Sequence, residues 1–212
     1  MMLHQTFADR VIGAFDQALR TVVPNTTQAD RPLPSAQTES ALNVSDARHV
    51  AGLMRVNHSG EVAAQALYNG QALTAKLPHV RVAMQQAARE EQDHLAWCET
   101  RLKELDSHTS LLNPLWYAMS FGIGAVAGLA GDQYSLGFVA ETERQVGLHL
   151  DEHLQALPEN DDRSRTILQQ MHKDELHHRE QAITAGAQEL PESVKAMMGL
   201  VSKVMTKSSY FV

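Results

Sequence analysis

Apolar residues recur every three or four positions along most of this chain, the spacing of helices that bury one face, so an all-α fold is expected. Leu3, Phe7, Val11, Phe15, Leu19 and Val22 keep that spacing and predict an amphipathic helix over residues 3–23. Residues 24–44 hold three prolines and few large apolar side chains, and read as a linker. Ser45 or Asp46 is placed to cap a long helix that runs to about Lys76 and stops before Pro78. The next helix, about 80–106, carries Val82, Met84, Ala87, Glu91, His94, Leu95, Cys98 and Leu102. Helices over about 132–157, closed by Pro158, and about 160–187, closed by Gly186, bring the long helices to four.

Two further segments stand apart. Between residues 110 and 130 the chain carries no charge, a length that invites a transmembrane reading. Pro114, Gly122, Gly124 and Gly128 dilute its hydrophobicity, and a single span would put the two halves of the helical set on opposite sides of a bilayer. A crossover that packs on the bundle, buried or dipping into one leaflet, is expected instead. After Pro191 a last helix (191–207) aligns Val194, Met197, Met198, Val201, Val204 and Met205 on one face, with Lys195, Lys203 and Lys207 elsewhere. That face suits a membrane surface, a partner helix or ordinary packing.

Composition narrows the class. A chain of 212 residues with 43% hydrophobic and 20% charged residues has the make-up of one globular domain, expected over residues 45–212. A formal charge of −7 argues against nucleic acid as a partner. One cysteine, Cys98, permits no intrachain disulfide and fits a reducing compartment. The first ten residues show no basic end leading into an apolar run, so no secretory signal is expected.

The chemistry lies in two stretches that look like copies, Glu90-Glu91-Gln92-Asp93-His94 and Asp174-Glu175-Leu176-His177-His178. Each contains Glu-x-x-His, which on a helix sets a carboxylate and an imidazole side by side. Chance alone would supply roughly one such match in a chain of this composition, so the motif by itself is weak. The combination is stronger. Glu61 stands about 30 residues before the first motif and Glu143 a similar distance before the second, one antiparallel helix pair apart. Four helices presenting Glu, Glu-x-x-His, Glu and Glu-x-x-His inward form a di-iron carboxylate site in a ferritin-like four-helix bundle. Four buried carboxylates without cations would be strongly disfavoured, and two divalent irons balance their charge. Oxygen-rich ligands with two imidazoles suit iron or manganese better than structural zinc. Glu91 and Glu175 are placed to bridge the metals. Ligand histidines need a hydrogen bond on their second nitrogen, for which Glu90 and Asp174 are candidates. Tyr68, seven residues past Glu61, is either a catalytic contact or a core tyrosine with a satisfied hydroxyl; His149, off the ligand face, is a candidate contact to substrate or to the groups behind the ligands, and Asn57 and His58, one turn before Glu61, are candidates to line the cavity.

The run Met54-Arg55-Val56-Asn57-His58-Ser59-Gly60-Glu61-Val62, followed by the two Glu-x-x-His motifs and Glu143, resembles the demethoxyubiquinone hydroxylases of ubiquinone biosynthesis, over roughly residues 45–212. The separate N-terminal helix resembles the bacterial branch of that family. The resemblance implies a peripheral di-iron monooxygenase at the cytoplasmic face of the bacterial cell membrane, hydroxylating the ring of a polyprenyl benzoquinol with O2. It also implies that Glu61, Glu91 and His94 bind one iron and that Glu143, Glu175 and His178 bind the other. Electrons would come from NADH or an external donor, with other ubiquinone-biosynthesis proteins as further partners. The chain shows no glycine-rich nucleotide fingerprint. Two other readings of the residues stand beside this one: a ferritin- or rubrerythrin-like ferroxidase or peroxidase, and a non-catalytic helical lipid-binding or scaffold protein.

Overall fold

A computed structural model describes residues 6–24, 26–34 and 41–212; Leu3, Asn25, residues 35–40 of the expected linker and the side chain of Phe7 lie outside the described residues. Among the described residues seven helices follow in order: α1 (Phe7–Val22), α2 (Val44–Thr74), α3 (Pro78–Glu104), α4 (Asn113–Ala130), α5 (Asp132–Ala156), α6 (Asp162–Thr184) and α7 (Glu192–Ser209). No strand occurs among the described residues.

Local chemistry fixes the helix ends. Thr6 caps α1 in a reciprocal box with Asp9. The cap of α2 is Asn43 rather than Ser45 or Asp46: Asn43 is extended, and its side-chain oxygen accepts from the Asp46 backbone N–H at 2.9 Å. Ser45 and Asp46 are already inside the first turn. Pro78 opens α3, where its missing N–H costs nothing.

α2 is the central helix. α3, α4, α5 and α7 all pack on it, and α5 pairs with α6. Its buried residues therefore surround the helix instead of forming one stripe. Two apolar clusters fill the bundle. One holds Met54, Trp97, Cys98, Leu102, Leu150, Ile167, Leu168 and Met171. The other holds Tyr68, Val80, Met84, Ala88, Leu136, Val139 and Ala182. In α3 the buried face runs through Val80, Met84, Ala88 and Glu91, while Val82 points to solvent, because α3 is rotated slightly from the stripe that Val82 and Ala87 suggest.

α4 lies along α2 through small residues. A β-carbon at Gly124 would overlap the Leu67 carbonyl, and one at Gly70 would overlap the Phe121 carbonyl. Thr74 Oγ1 also donates across the contact to the Ala125 carbonyl at 3.1 Å. The uncharged segment thus packs on the bundle with its small face, while Leu115, Met119, Val126 and Leu129 face outward. No helix of the described chain is long and apolar enough to cross a membrane.

α1 is oriented the same way. Ala14, Ala18, Thr21 and Val22 face the protein, whereas Val11, Ile12, Phe15 (65% exposed) and Leu19 face out. On α7 the apolar stripe divides. Val194, Met198 and Met205 are half-buried, and Met197, Leu200, Val201 and Val204 are exposed, because α7 rests on the bundle by one edge.

The α2–α4 contact makes a paired test. Gly124→Val must push two backbones apart and should lower stability by about 2–3 kcal/mol in denaturant unfolding. Gly122→Ala adds a methyl to open space on the same helix and should be neutral or stabilising by up to about 1 kcal/mol.

Candidate metal centre

In each of the four long bundle helices a polar step interrupts the apolar face at one level. α2 carries Glu61 between Met54 and Tyr68. α3 carries Glu91 and His94 between Ala88 and Trp97. α5 carries Glu143 between Val139 and Leu150, and α6 carries Glu175 and His178 between Met171 and Ala182. All six side chains are buried, none more than 5% exposed, with one apolar cluster on either side of them.

They meet in two overlapping groups. One ligand atom from each of Glu61, Glu91, His94 and Glu175 lies within 4.8 Å of the others, and the same holds for Glu91, Glu143, Glu175 and His178. Glu91 and Glu175 belong to both groups. The Nδ1 atom of each imidazole faces the carboxylates. His94 Nδ1 lies 3.1 Å from Glu175, 3.2 Å from Glu91 and 3.6 Å from Glu61. His178 Nδ1 lies 3.3 Å from Glu91 and 3.4 Å from Glu175. One imidazole N–H cannot serve three carboxylates.

The outer nitrogens are held crosswise. Asp174 of α6 faces His94 Nε2 of α3 at 3.0 Å, and Glu90 of α3 faces His178 Nε2 of α6 at 2.8 Å. A proton fixed on Nε2 leaves Nδ1 free as a lone-pair donor, the tautomer a metal ligand requires. Glu90 and Asp174 are themselves held by amides four residues earlier, Gln86 at 2.7 Å and Gln170 at 2.8 Å. Sequence reading missed these glutamines, although Gln at four residues before each outer carboxylate extends the repeat and was available as a signal.

The donor set fits a pair of cations. Glu91 Oε1, both oxygens of Glu143, both of Glu175 and His178 Nδ1 are buried with no hydrogen-bond partner. Buried polar atoms of native proteins are otherwise almost always paired. Electrostatics agree. Burial, reinforced by Glu91 and Glu175, pushes the Glu61 carboxyl well above the usual range, and burial reinforced by Glu175 does the same to Glu143. Burial works against the charged forms of Glu91 and Glu175 too, but the close-lying imidazoles of His178 and His94 outweigh it and hold both below the usual range. The imidazoles are raised in turn, burial being overcome by Asp174, Glu175, Glu61 and Glu91 around His94, and by Glu175, Glu90 and Glu91 around His178. Without another cation, protons are the only positive charge the cluster has.

The other candidate residues fall outside this group. Tyr68 is fully buried in the second apolar cluster, yet its hydroxyl has no partner, unlike a core tyrosine with a satisfied hydroxyl. His149 lies against His153 with ring centroids 3.8 Å apart and the rings tilted by 58°, and His153 Nδ1 hydrogen-bonds Asn57 Oδ1 at 2.9 Å. Burial lowers both imidazoles, His153 to about 3. His58 Nδ1 meets the amide of Asn113 at 3.1 Å, which ties α2 to the start of α4.

The chain matches the family of ubiquinone biosynthesis protein COQ7 over residues 48–209. It belongs to that family. Members of it with high similarity include proteins named 3-demethoxyubiquinol 3-hydroxylase from Acinetobacter baylyi, 68% identical over all of both chains, and from Acinetobacter baumannii, 68% identical over 99% of this chain and 100% of the relative. A relative of the same name from Stutzerimonas stutzeri is 60% identical over 98% of this chain and 97% of its own. The ferritin-like helical bundle of the COQ7 family is the fold described above.

Cation binding should compete with protons. Glu61, Glu143, His94 and His178 all hold protons more tightly than the free groups when no metal is present, so loading must displace those protons. Affinity for a divalent metal should therefore rise as pH increases from about 5 to 8, with protons released on binding. Calorimetry in buffers of different ionisation enthalpy measures that release; a pH-independent affinity would count against the cluster as a metal site.

Proposed function

We propose that this chain is a 3-demethoxyubiquinol 3-hydroxylase, an O2-dependent di-iron monooxygenase acting on a polyprenyl benzoquinol. The observation that carries the reading is the pair of overlapping four-residue groups sharing Glu91 and Glu175, in a chain 68% identical end to end to proteins of that name. Glu61, Glu91 and His94 would hold one iron and Glu143, Glu175 and His178 the other, with Glu91 and Glu175 bridging. The irons, when bound, supply the electrons and the Lewis acidity that activate O2.

The protein's part is to position, exclude water and hold protons. Asp174 and Glu90 keep the imidazole protons on Nε2. The apolar clusters on either side keep bulk water from the centre, where each electrostatic contact counts for more. We assign to Tyr68 and His149, each with a buried polar atom lacking a partner, contacts to substrate or to the electron path. Two electrons per turnover come from NADH or an external donor.

A polyprenyl quinol resides in a bilayer, so the enzyme must meet one. The outward apolar faces of α1, α4 and α7 support a peripheral site at the cytoplasmic face of the bacterial cell membrane. A ferroxidase of the same bundle type leaves those faces without a purpose.

Two experiments test the proposal. Cells whose only copy carries Glu175→Ala or His178→Ala should accumulate the demethoxy precursor and lose ubiquinone; normal ubiquinone would overturn the assignment. Phe15→Glu should cut co-sedimentation with vesicles of bacterial phospholipid by about tenfold or more, the loss expected for one large apolar side chain.

A further inference from the structure

The two halves of the centre repeat down to the groups behind the ligands, with one exception. Behind Glu90 stands the neutral amide of Gln86. Behind Asp174 stand the equivalent amide of Gln170 and a guanidinium, that of Arg31, whose Nη1 lies 2.9 Å from Asp174 Oδ2. That oxygen is the one facing His94 Nε2.

Arg31 lies ahead of the residues that match the family, in a segment between α1 and α2. The segment is fastened to the bundle. The backbone N–H groups of Asp30 and Arg31 donate to Asp93 Oδ1 at 2.7 and 3.2 Å, and Arg31 Nε donates to Asp93 Oδ2. The guanidinium covers the Trp97 ring, 4.8 Å from its centroid, and that ring lies 5.5 Å from the His94 ring. Pro32 follows and disfavours helical backbone at Arg31. A planar guanidinium reaches two carboxylates at once, which a lysine ammonium on a flexible stem does poorly.

We infer that Arg31 is a positioning residue for the His94 half of the centre: it fixes Asp174, which holds His94 Nε2 and turns Nδ1 toward the carboxylates. The segment ahead of the bundle thereby sets the metal affinity of one half-site and leaves the other alone. This rests on the ligand assignment proposed above.

The test is a titration of the full-length, metal-free protein with Co(II), followed by visible absorption. The parent should take up two ions in two steps. Arg31→Gln should weaken one step by roughly ten- to a hundredfold, the usual cost of losing a group that orients a ligand, and leave the other unchanged. Glu90→Gln should weaken the step that Arg31→Gln spares. Arg31→Lys, which keeps the charge without the fork, should fall between parent and Arg31→Gln. The Arg31 side chain is 41% exposed, so the metal-free variants should melt within a few degrees of the parent. If Arg31→Gln does not fold, Arg31→Lys carries the same comparison. Two ions bound by the parent with neither step changed, or both changed equally, overturns the inference. Fewer than two ions bound by the parent overturns the ligand assignment instead.

Discussion

Four carboxylates in two overlapping groups of three, shut away from water, are the constraint on which this molecule turns. Such a cluster repels itself unless positive charge is supplied, and the low dielectric of a bundle interior makes the repulsion severe. The protein provides part of that charge through two imidazoles that face the carboxylates and leaves six buried polar atoms without partners. Two divalent ions would complete the balance. Much of the bundle serves this arrangement. Apolar clusters on both sides exclude water, and outer carboxylates exchanged between α3 and α6 turn the imidazoles inward.

The outside of the molecule answers a different demand. On α1 and along the C-terminal half of α4 several small side chains meet the protein while many of the large apolar ones point away, the reverse of an ordinary surface helix. Close backbone approach explains half of this. Where Gly70 and Gly124 let α2 and α4 nearly touch, van der Waals contact is made by backbone, and bulky side chains have nowhere to go but out. An apolar surface of that kind suits a membrane lipid as substrate better than a freely dissolved one. The buried polar centre and the exposed apolar rim are thus built by different faces of neighbouring helices.

The meeting of these six side chains was legible because helical period is strict. Glu-x-x-His twice, with Glu61 and Glu143 a helix length upstream, leaves few ways to place six side chains other than at one level. The cap at Asn43 was not legible in the same way, since Asn43, Ser45 and Asp46 are all good caps and only the backbone path chooses among them. Nor was the direction of α1, whose apolar spacing predicts a helix but not which face the bundle will cover.

What the sequence determined by itself was the set of helices, the repeated Glu and Glu-x-x-His pattern and the family, because each is written in residue types at fixed spacings along the chain. Tertiary structure decided the crosswise pairing of Asp174 with His94 and of Glu90 with His178. It also decided the orientation of α1, α4 and α7, and the reach of Arg31 to Asp93 and Asp174, 62 residues and more along the chain. Contacts across such separations depend on how helices rotate and pack against one another, and local periodicity carries no record of that.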